Sequence, residues 1–251
     1  MRSVLYYCVL LIFTLVYFLL FAVLFALTVP FDRERSVIHH ASRLWGKAIF
    51  RMNPWWRMRV EGLDKIGRGK AYVVVVNHQS MLDIPLMYVL PFNFKWVSKR
   101  EVYRWPIFGA VLWMHGDIAI ERGTASAAKK MIHDCGERIG RGTSVIVFPE
   151  GTRSRDGRVH RFKEGAFLAA KTLGAPILPC VSEGTGSVMS GWKFRMPHAF
   201  TVRVLDPIPA EEVARTPLKE MTARVQATIA SAHAQLRPDL YDESKEGEQD
   251  K

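Results

Sequence analysis

Val73-Val74-Val75-Val76-Asn77-His78-Gln79-Ser80-Met81-Leu82-Asp83-Ile84-Pro85 is the stretch on which the reading of the fold turns. Residues 71–76 are apolar and largely β-branched, with no polar alternation, the mark of a strand covered on both faces. The run ends in a polar cluster, and a helical pattern follows at 84–90. Similar strand runs recur at 144–148, 177–181 and 200–205. Helical patterns lie at 124–139 and 164–173, and a late one at 218–236. Strands alternating with helices predict an α/β fold, with a mostly parallel central sheet flanked by helices.

The N-terminus has a different character. Residues 4–31 contain no Asp, Glu, Lys, Arg or His. As a helix this run measures about 40 Å, more than the ~30 Å hydrocarbon core of a bilayer. It is too long for the apolar part of a signal peptide, and charged Asp32-Arg33-Glu34-Arg35 follows it where a cleavage site would need small residues. It reads as a retained membrane segment. Arg2 alone precedes it, whereas Arg33, Arg35, Arg43, Lys47 and Arg51 follow, so the positive-inside rule places the body of the chain in the cytoplasm. Residues 36–60 read as a second, interfacial helical stretch broken at Asn53-Pro54, with Trp45, Trp55 and Trp56 at headgroup level. An ordinary helix packed on the domain is the other reading. The expected organisation is membrane and interfacial helices over 1–60, a catalytic domain over 61–238, and an acidic, disordered tail over 239–251.

The formal charge is +11, although the tail holds six acids and only two lysines. A basic body beside a membrane segment suits anionic lipid. The chain has none of the helix-turn-helix, zinc-finger or aromatic-basic patterns of nucleic-acid binding, so no nucleic-acid partner is expected. Cys8, Cys135 and Cys180 are far apart and odd in number, without metal-site spacing.

His78 sits where a buried strand ends, the place at which α/β sheets build their sites. If the loop turns back, Asp83 can bond one ring nitrogen, fix the tautomer and leave the other nitrogen to accept a proton. Such a pair deprotonates a hydroxyl nucleophile, an effect worth about 10²–10⁴ in rate. The bland readings are a strand-end histidine and a helix-capping aspartate.

A second polar segment, Phe148-Pro149-Glu150-Gly151-Thr152-Arg153-Ser154, leaves another strand run. Gly151 allows a tight backbone approach, Thr152 offers a hydroxyl, and Arg153 can grip a phosphate with two parallel hydrogen bonds. Glu150 is either part of that site or a structural ion-pair partner for Arg153. Lys99 and Arg122 are further phosphate candidates, or solvated surface charge. The segment 175–180, with Pro176 and Pro179, reads either as the wall of an apolar groove or as a sheet-entry segment. A serine hydrolase would need a Gly-x-Ser-x-Gly elbow, which Ser144, Ser154 and Ser187 lack. Residues 62–68 nearly copy a phosphate loop but lack its Lys-Ser/Thr pair and precede the strand.

Four blocks in this order resemble the glycerophospholipid acyltransferase family, and within it the 1-acylglycerol-3-phosphate acyltransferases. They are Asn77 to Asp83, Lys99 to Arg122, Phe148 to Ser154, and Ile177 to Cys180. The second block matches most loosely. The resemblance implies acyl transfer from a thioester, on acyl carrier protein or coenzyme A, to the 2-hydroxyl of 1-acylglycerol-3-phosphate, giving phosphatidate in phospholipid biosynthesis. It implies His78 as general base, Asp83 as its partner, and Lys99, Arg122 and Arg153 on the phosphate, in a site shaped by Glu150, Gly151 and Thr152. It also implies direct attack without an acyl-enzyme, no metal, no cofactor, and a place on the cytoplasmic face of the inner membrane. Another lysolipid acceptor, such as a lyso-ornithine lipid, and a non-catalytic scaffold are the competing readings.

Overall fold

The computed structural model describes residues 2–121 and 124–242. Its elements in chain order are α1 (Arg2–Thr28), α2 (Ser36–Arg51), β1 (Trp56–Glu61), β2 (Val73–Val76), α3 (Asp83–Met87), β3 (Phe94–Lys99), α4 (Phe108–His115), β4 (Ile118–Ile120), α5 (Ala125–Ile139), β5 (Ser144–Val147), α6 (Gly165–Leu173), β6 (Ile177–Glu183), β7 (Met189–Ser190), β8 (Lys193–Phe194), β9 (His198–Val204), α7 (Ala210–Arg215) and α8 (Leu218–Leu236). Seven strands form one sheet in the order β1-β9-β6-β2-β5-β3-β4. The five strands from β6 to β4 are parallel; β9 runs against β6 and pairs in parallel with β1. β7 and β8 make a separate small hairpin.

The valine run of β2 lies mid-sheet, and all four residues are buried. Successive side chains of a strand point to opposite faces. Val74 and Val76 therefore join a core with Phe50 of α2, Leu86 of α3 and Phe200 of β9. Val73 and Val75 join a second core with Cys135 of α5, Phe167 of α6 and Val225 of α8. A sheet covered on both sides has no solvated face, which is why the strand carries no polar alternation.

α1 is 27 residues long and apolar throughout, long enough to cross a membrane. It also touches the catalytic body along its whole length. Tyr6 donates its hydroxyl to the Ile49 carbonyl at 2.9 Å, and Tyr17 donates to the Ala41 carbonyl at 2.6 Å. Near the other end the rings of Phe25 and Trp113 lie 5.0 Å apart. The opposite face is bare: Leu5, Ile12, Val16, Leu19, Val23 and Leu27 are each more than half exposed.

The stretch expected to be helical over 36–60 divides. α2 ends at Arg51, ahead of Asn53-Pro54, and the chain then enters strand β1, which crosses the expected boundary at residue 60. Trp56 is buried inside the protein, packed against Tyr6 and Phe200. α2 is fastened to α4 by a buried chain of imidazoles. His39 Nδ1 and His115 Nε2 are 3.2 Å apart, and His115 Nδ1 lies 2.6 Å from Asp117 Oδ1. Because Asp117 can only accept, each histidine donates onward from Nδ1.

Candidate active site

β2 delivers His78 to the carboxyl end of the sheet. Asn77 locks that end to β6: its amide donates to the Ser182 carbonyl at 2.9 Å and accepts from Ser182 N–H at 2.8 Å. The chain then turns back, and His78 Nδ1 donates to Asp83 Oδ2 at 2.8 Å. Asp83 opens α3 but does not cap it; its carboxylate faces the preceding loop and accepts Gln79 N–H at 2.7 Å and Ser80 N–H at 2.8 Å. On the other oxygen it accepts the hydroxyls of Ser182, at 2.7 Å, and Thr185. The carboxylate is wholly buried. Five donors thus converge on one buried carboxylate and fix its orientation. With Nδ1 committed as a donor, the ring nitrogen left to take a proton is Nε2.

The imidazole stacks on Phe148, with centroids 3.8 Å apart and planes 12° from parallel. Phe148 directly follows β5, the neighbour of β2, and stacks in turn on Trp96 of β3 at 5.2 Å. The loop after Phe148 is tied to the His78 loop by the main chain, Ser154 N–H donating to the His78 carbonyl at 2.8 Å.

Glu150 is not paired with Arg153. Its carboxylate accepts His78 N–H at 3.0 Å and His160 N–H at 3.4 Å, behind the loop. Burial pushes its carboxyl up to about 7, against the lowering effect of those two N–H groups. Gly151 takes φ 70°, a left-handed conformation that favours glycine. The turn it makes presents Thr152 and Arg153 to the cleft.

His78, Lys99, Gly151, Thr152 and Arg153 all line one cleft of about 540 Å³. Lys99 comes from the end of β3, the strand beside β5, whose exit leads into the arginine loop. Arg122 lies outside the described residues. Apart from Ser98 and Glu101 the other lining is apolar, and two of its side chains, Ile84 and Phe108, also border a second cavity of about 250 Å³. That cavity is walled by Tyr17, Phe18 and Phe21 of α1 and by Trp45 of α2. At the partition Ile107 has φ 63° and ψ −58°, and Phe108 N–H donates to the Pro106 carbonyl at 2.6 Å. This is a γ-turn of the strained hand, which costs about 1–3 kcal/mol for a β-branched residue.

Of the two readings of residues 175–180, the wall of an apolar groove or a sheet-entry segment, the second is the one observed. The structure puts Ile177 to Cys180 inside the sheet, between β2 and β9, fully buried. The continuous apolar run of β6 reports a central strand, and the cavity wall is supplied by helices instead. The sequence reading missed Phe148 as a stacking partner and Ser182 and Thr185 as donors to Asp83. Phe148 was inside a block already singled out; the two hydroxyls lie 99 and 102 residues from Asp83, with no local pattern to mark them.

The sequence profile of the acyltransferase family matches residues 57–183. A 1-acyl-sn-glycerol-3-phosphate acyltransferase of Brassica napus is 36% identical over 161 residues, 63% of this chain and 46% of the relative. The chain thus spans just under half the length of that plant protein. The alpha 1-acyl-sn-glycerol-3-phosphate acyltransferase of Mus musculus is 30% identical over 209 residues, 82% of this chain and 70% of the relative. The crystal structure of the 1-acyl-sn-glycerophosphate acyltransferase PlsC from Thermotoga maritima superposes with a TM-score of 0.77, covering 94% of this chain and 96% of that one at 24% identity, and so shares the fold. With the profile covering the sheet from β1 to β6 and both polar loops, the chain belongs to the acyltransferase family.

Proposed function

We propose that this protein transfers a fatty acyl group from an acyl thioester, on acyl carrier protein or coenzyme A, to the 2-hydroxyl of 1-acylglycerol-3-phosphate, forming phosphatidate for phospholipid synthesis. The observation that carries this reading is the His78–Asp83 pair at 2.8 Å, set in a cleft with cations at one side and an apolar cavity behind it. The substrates need those parts: a hydroxyl to deprotonate, a phosphate to hold and a long acyl chain to shelter from water. The two plant and animal relatives carry the name of this reaction.

In the step that follows, Nε2 of His78 takes the proton of the acceptor hydroxyl as its oxygen attacks the thioester carbonyl carbon. The tetrahedral adduct collapses with cleavage of the carbon–sulfur bond. The departing thiolate takes the proton from the imidazolium, so the enzyme returns to its starting state without an acyl-enzyme. Asp83 holds the ring in the tautomer that accepts at Nε2 and stabilises the imidazolium once formed. Arg153 and Lys99 hold the phosphate, with Arg122 as a third candidate. Gly151 and Thr152 shape that end, and Glu150 fixes the loop behind it.

We further infer that α1 lies within one leaflet. Its contacts with the body run from Tyr6 to Phe25, about 28 Å of helix axis at the usual rise, nearly a full hydrocarbon thickness. A spanning α1 would drag α2 and the sheet edge into hydrocarbon, where their polar groups could not be solvated. The cytoplasmic face of the inner membrane is the side that the lysines and arginines after α1 favour.

The test is an assay of purified protein with 1-acylglycerol-3-phosphate and each donor, with products identified by mass. His78→Ala should lose at least about 10³-fold in kcat while keeping its circular dichroism spectrum. Turnover near wild type in that variant would sink the general-base role. Arg153→Ala should raise the KM of the acceptor and leave that of the donor; the reverse pattern assigns the arginine elsewhere.

A further inference from the structure

The chemistry above uses Asp83 and leaves unexplained a second buried carboxylate, 7% exposed, at the end of β6. Glu183 Oε2 accepts His233 Nε2–H at 2.6 Å and the Gln79 side-chain amide at 2.9 Å. Glu183 Oε1 accepts from Arg237 at 2.9 Å. His233, on α8, is completely buried, and Gln79 is 7% exposed. The proton positions follow from the partners. With Nε2–H given to Glu183, His233 Nδ1 accepts the Tyr241 hydroxyl at 3.0 Å, and the Tyr241 oxygen accepts Val159 N–H at 3.0 Å. Gln79 also donates to the Gly157 carbonyl at 3.1 Å, and the Arg158 guanidinium donates to the Leu240 carbonyl.

We propose that Glu183 is the hub of a clamp by which α8 and residues 237–241 position the catalytic loop and the arginine loop relative to each other. The proposal rests on the acyl-transfer reading of the site. Gln79 lies next to His78 and gives its own N–H to Asp83, so whatever anchors its side chain orients both members of the pair. Gly157 and Val159 follow Arg153 in the chain, so the same network holds the cationic side of the cleft. The exits of β2, β5 and β6 are thereby tied together through Glu183 and through His233 of α8, a helix remote in sequence. The buried charge is compensated: burial works to raise the Glu183 carboxyl, but hydrogen bonds from His233, Gln79 and Arg237 outweigh it and hold it below the usual range. Gln79, Glu183 and His233 lie outside the lining of the cleft; they are positioning residues acting through the His78 loop.

Three variants of the full chain, Gln79→Leu, His233→Phe and His233→Gln, separate positioning from mere support. The first two remove donors to Glu183; the third keeps an amide donor at the Nε2 position. Amide hydrogen exchange at residues 78–80 reads the clamp without any assay of activity. It should quicken about tenfold or more in His233→Phe and Gln79→Leu, with the β2 amides unchanged, and stay within about threefold of wild type in His233→Gln. Per folded molecule, kcat should fall about 10–100-fold in the same two variants, with both KM values within about threefold, since small misplacement of a catalytic group costs on that scale. The double variant Gln79→Leu with His233→Phe should lose no more than the worse single variant, because both act through one carboxylate. Unchanged exchange at 78–80, a kcat loss that only tracks the unfolded fraction, or losses that multiply in the double variant would each overturn the clamp. Wild-type protein with no acyl transfer at all would refute the reaction instead, and the exchange result would still decide the clamp.

Discussion

Asp83 shows how much a single side chain can depend on distant ones. Its spacing from His78 is visible in the sequence, and the turn that joins them is local. Its state is not local: Ser182 and Thr185 arrive from β6 and the loop beyond it, and only the parallel pairing of β2 with β6 brings them near. A motif can therefore nominate the pair, while the fold decides whether the aspartate caps a helix or orients a histidine. Glu150 makes the same point in reverse. Chain proximity suggested Arg153 as its partner, yet the backbone turn at Gly151 aims the two side chains apart. Burial leaves Glu150 titrating near neutrality, above its unfolded value. The stability linked to this carboxyl is thus complete below about pH 4.5 and is lost as pH rises through about 7. Relative to Glu150→Gln, the wild type should lose about 3 kcal/mol of unfolding free energy between pH 4.5 and 8. Denaturant titrations at several pH values measure it, and parallel curves for the two proteins would count against a buried, titrating Glu150.

At the scale of elements, legibility followed burial. β2, β5, β6 and β9 were readable because they sit mid-sheet and carry apolar or alternating runs. β1 and β3 were not: Arg57 and Arg59 interrupt the edge strand β1, and Lys95, itself fully buried, interrupts the interior strand β3. α4 is only eight residues long and apolar, too short for its periodicity to speak. The joint between α2 and α4 was likewise invisible, being made of histidines 76 residues apart. Burial first, then nearby His115, Lys95 and Arg43, pushes the His39 imidazole far below the usual histidine range. Burial lowers His115 as well, outweighing Asp117. Both are therefore neutral in the fold but charge freely in the unfolded chain, so their stability contribution is lost as pH falls below about 6.5. For His39 the loss is about 1 kcal/mol over the first pH unit and about 1.4 kcal/mol for each unit after it. Wild-type protein in detergent should lose at least about 1 kcal/mol between pH 6.5 and 5.5, and the His39→Asn, His115→Asn double variant much less. Equal slopes in the two would show that this joint does not set acid stability.

At the scale of the molecule, composition set an apolar helix long enough to cross a membrane beside a basic body, but only the packing of α1 bears on lying against crossing. Cys8 is exposed near one end of α1, and Leu27 is exposed near the other. Fluorophores at Cys8 and at Leu27→Cys, the latter in a Cys8→Ser background, should be quenched by spin-labelled lipids at similar depths in one leaflet. Depths on opposite sides of the bilayer would establish a spanning helix. The buried thiols do not interfere: Cys180 lies within the sheet, and burial pushes the Cys135 thiol up to about 12.

In the placement proposed above, the exposed apolar face of α1 meets lipid, while Tyr17, Phe18 and Phe21 wall the second cavity. The same helix is thus both shoreline and harbour wall, and an acyl tail passing from bilayer to cavity never enters water. The relevant substrate concentration is then two-dimensional. Diluting the lysolipid with inert lipid at fixed bulk concentration should slow the enzyme in proportion to the fall in mole fraction, and adding water at fixed mole fraction should leave the rate per bound enzyme unchanged.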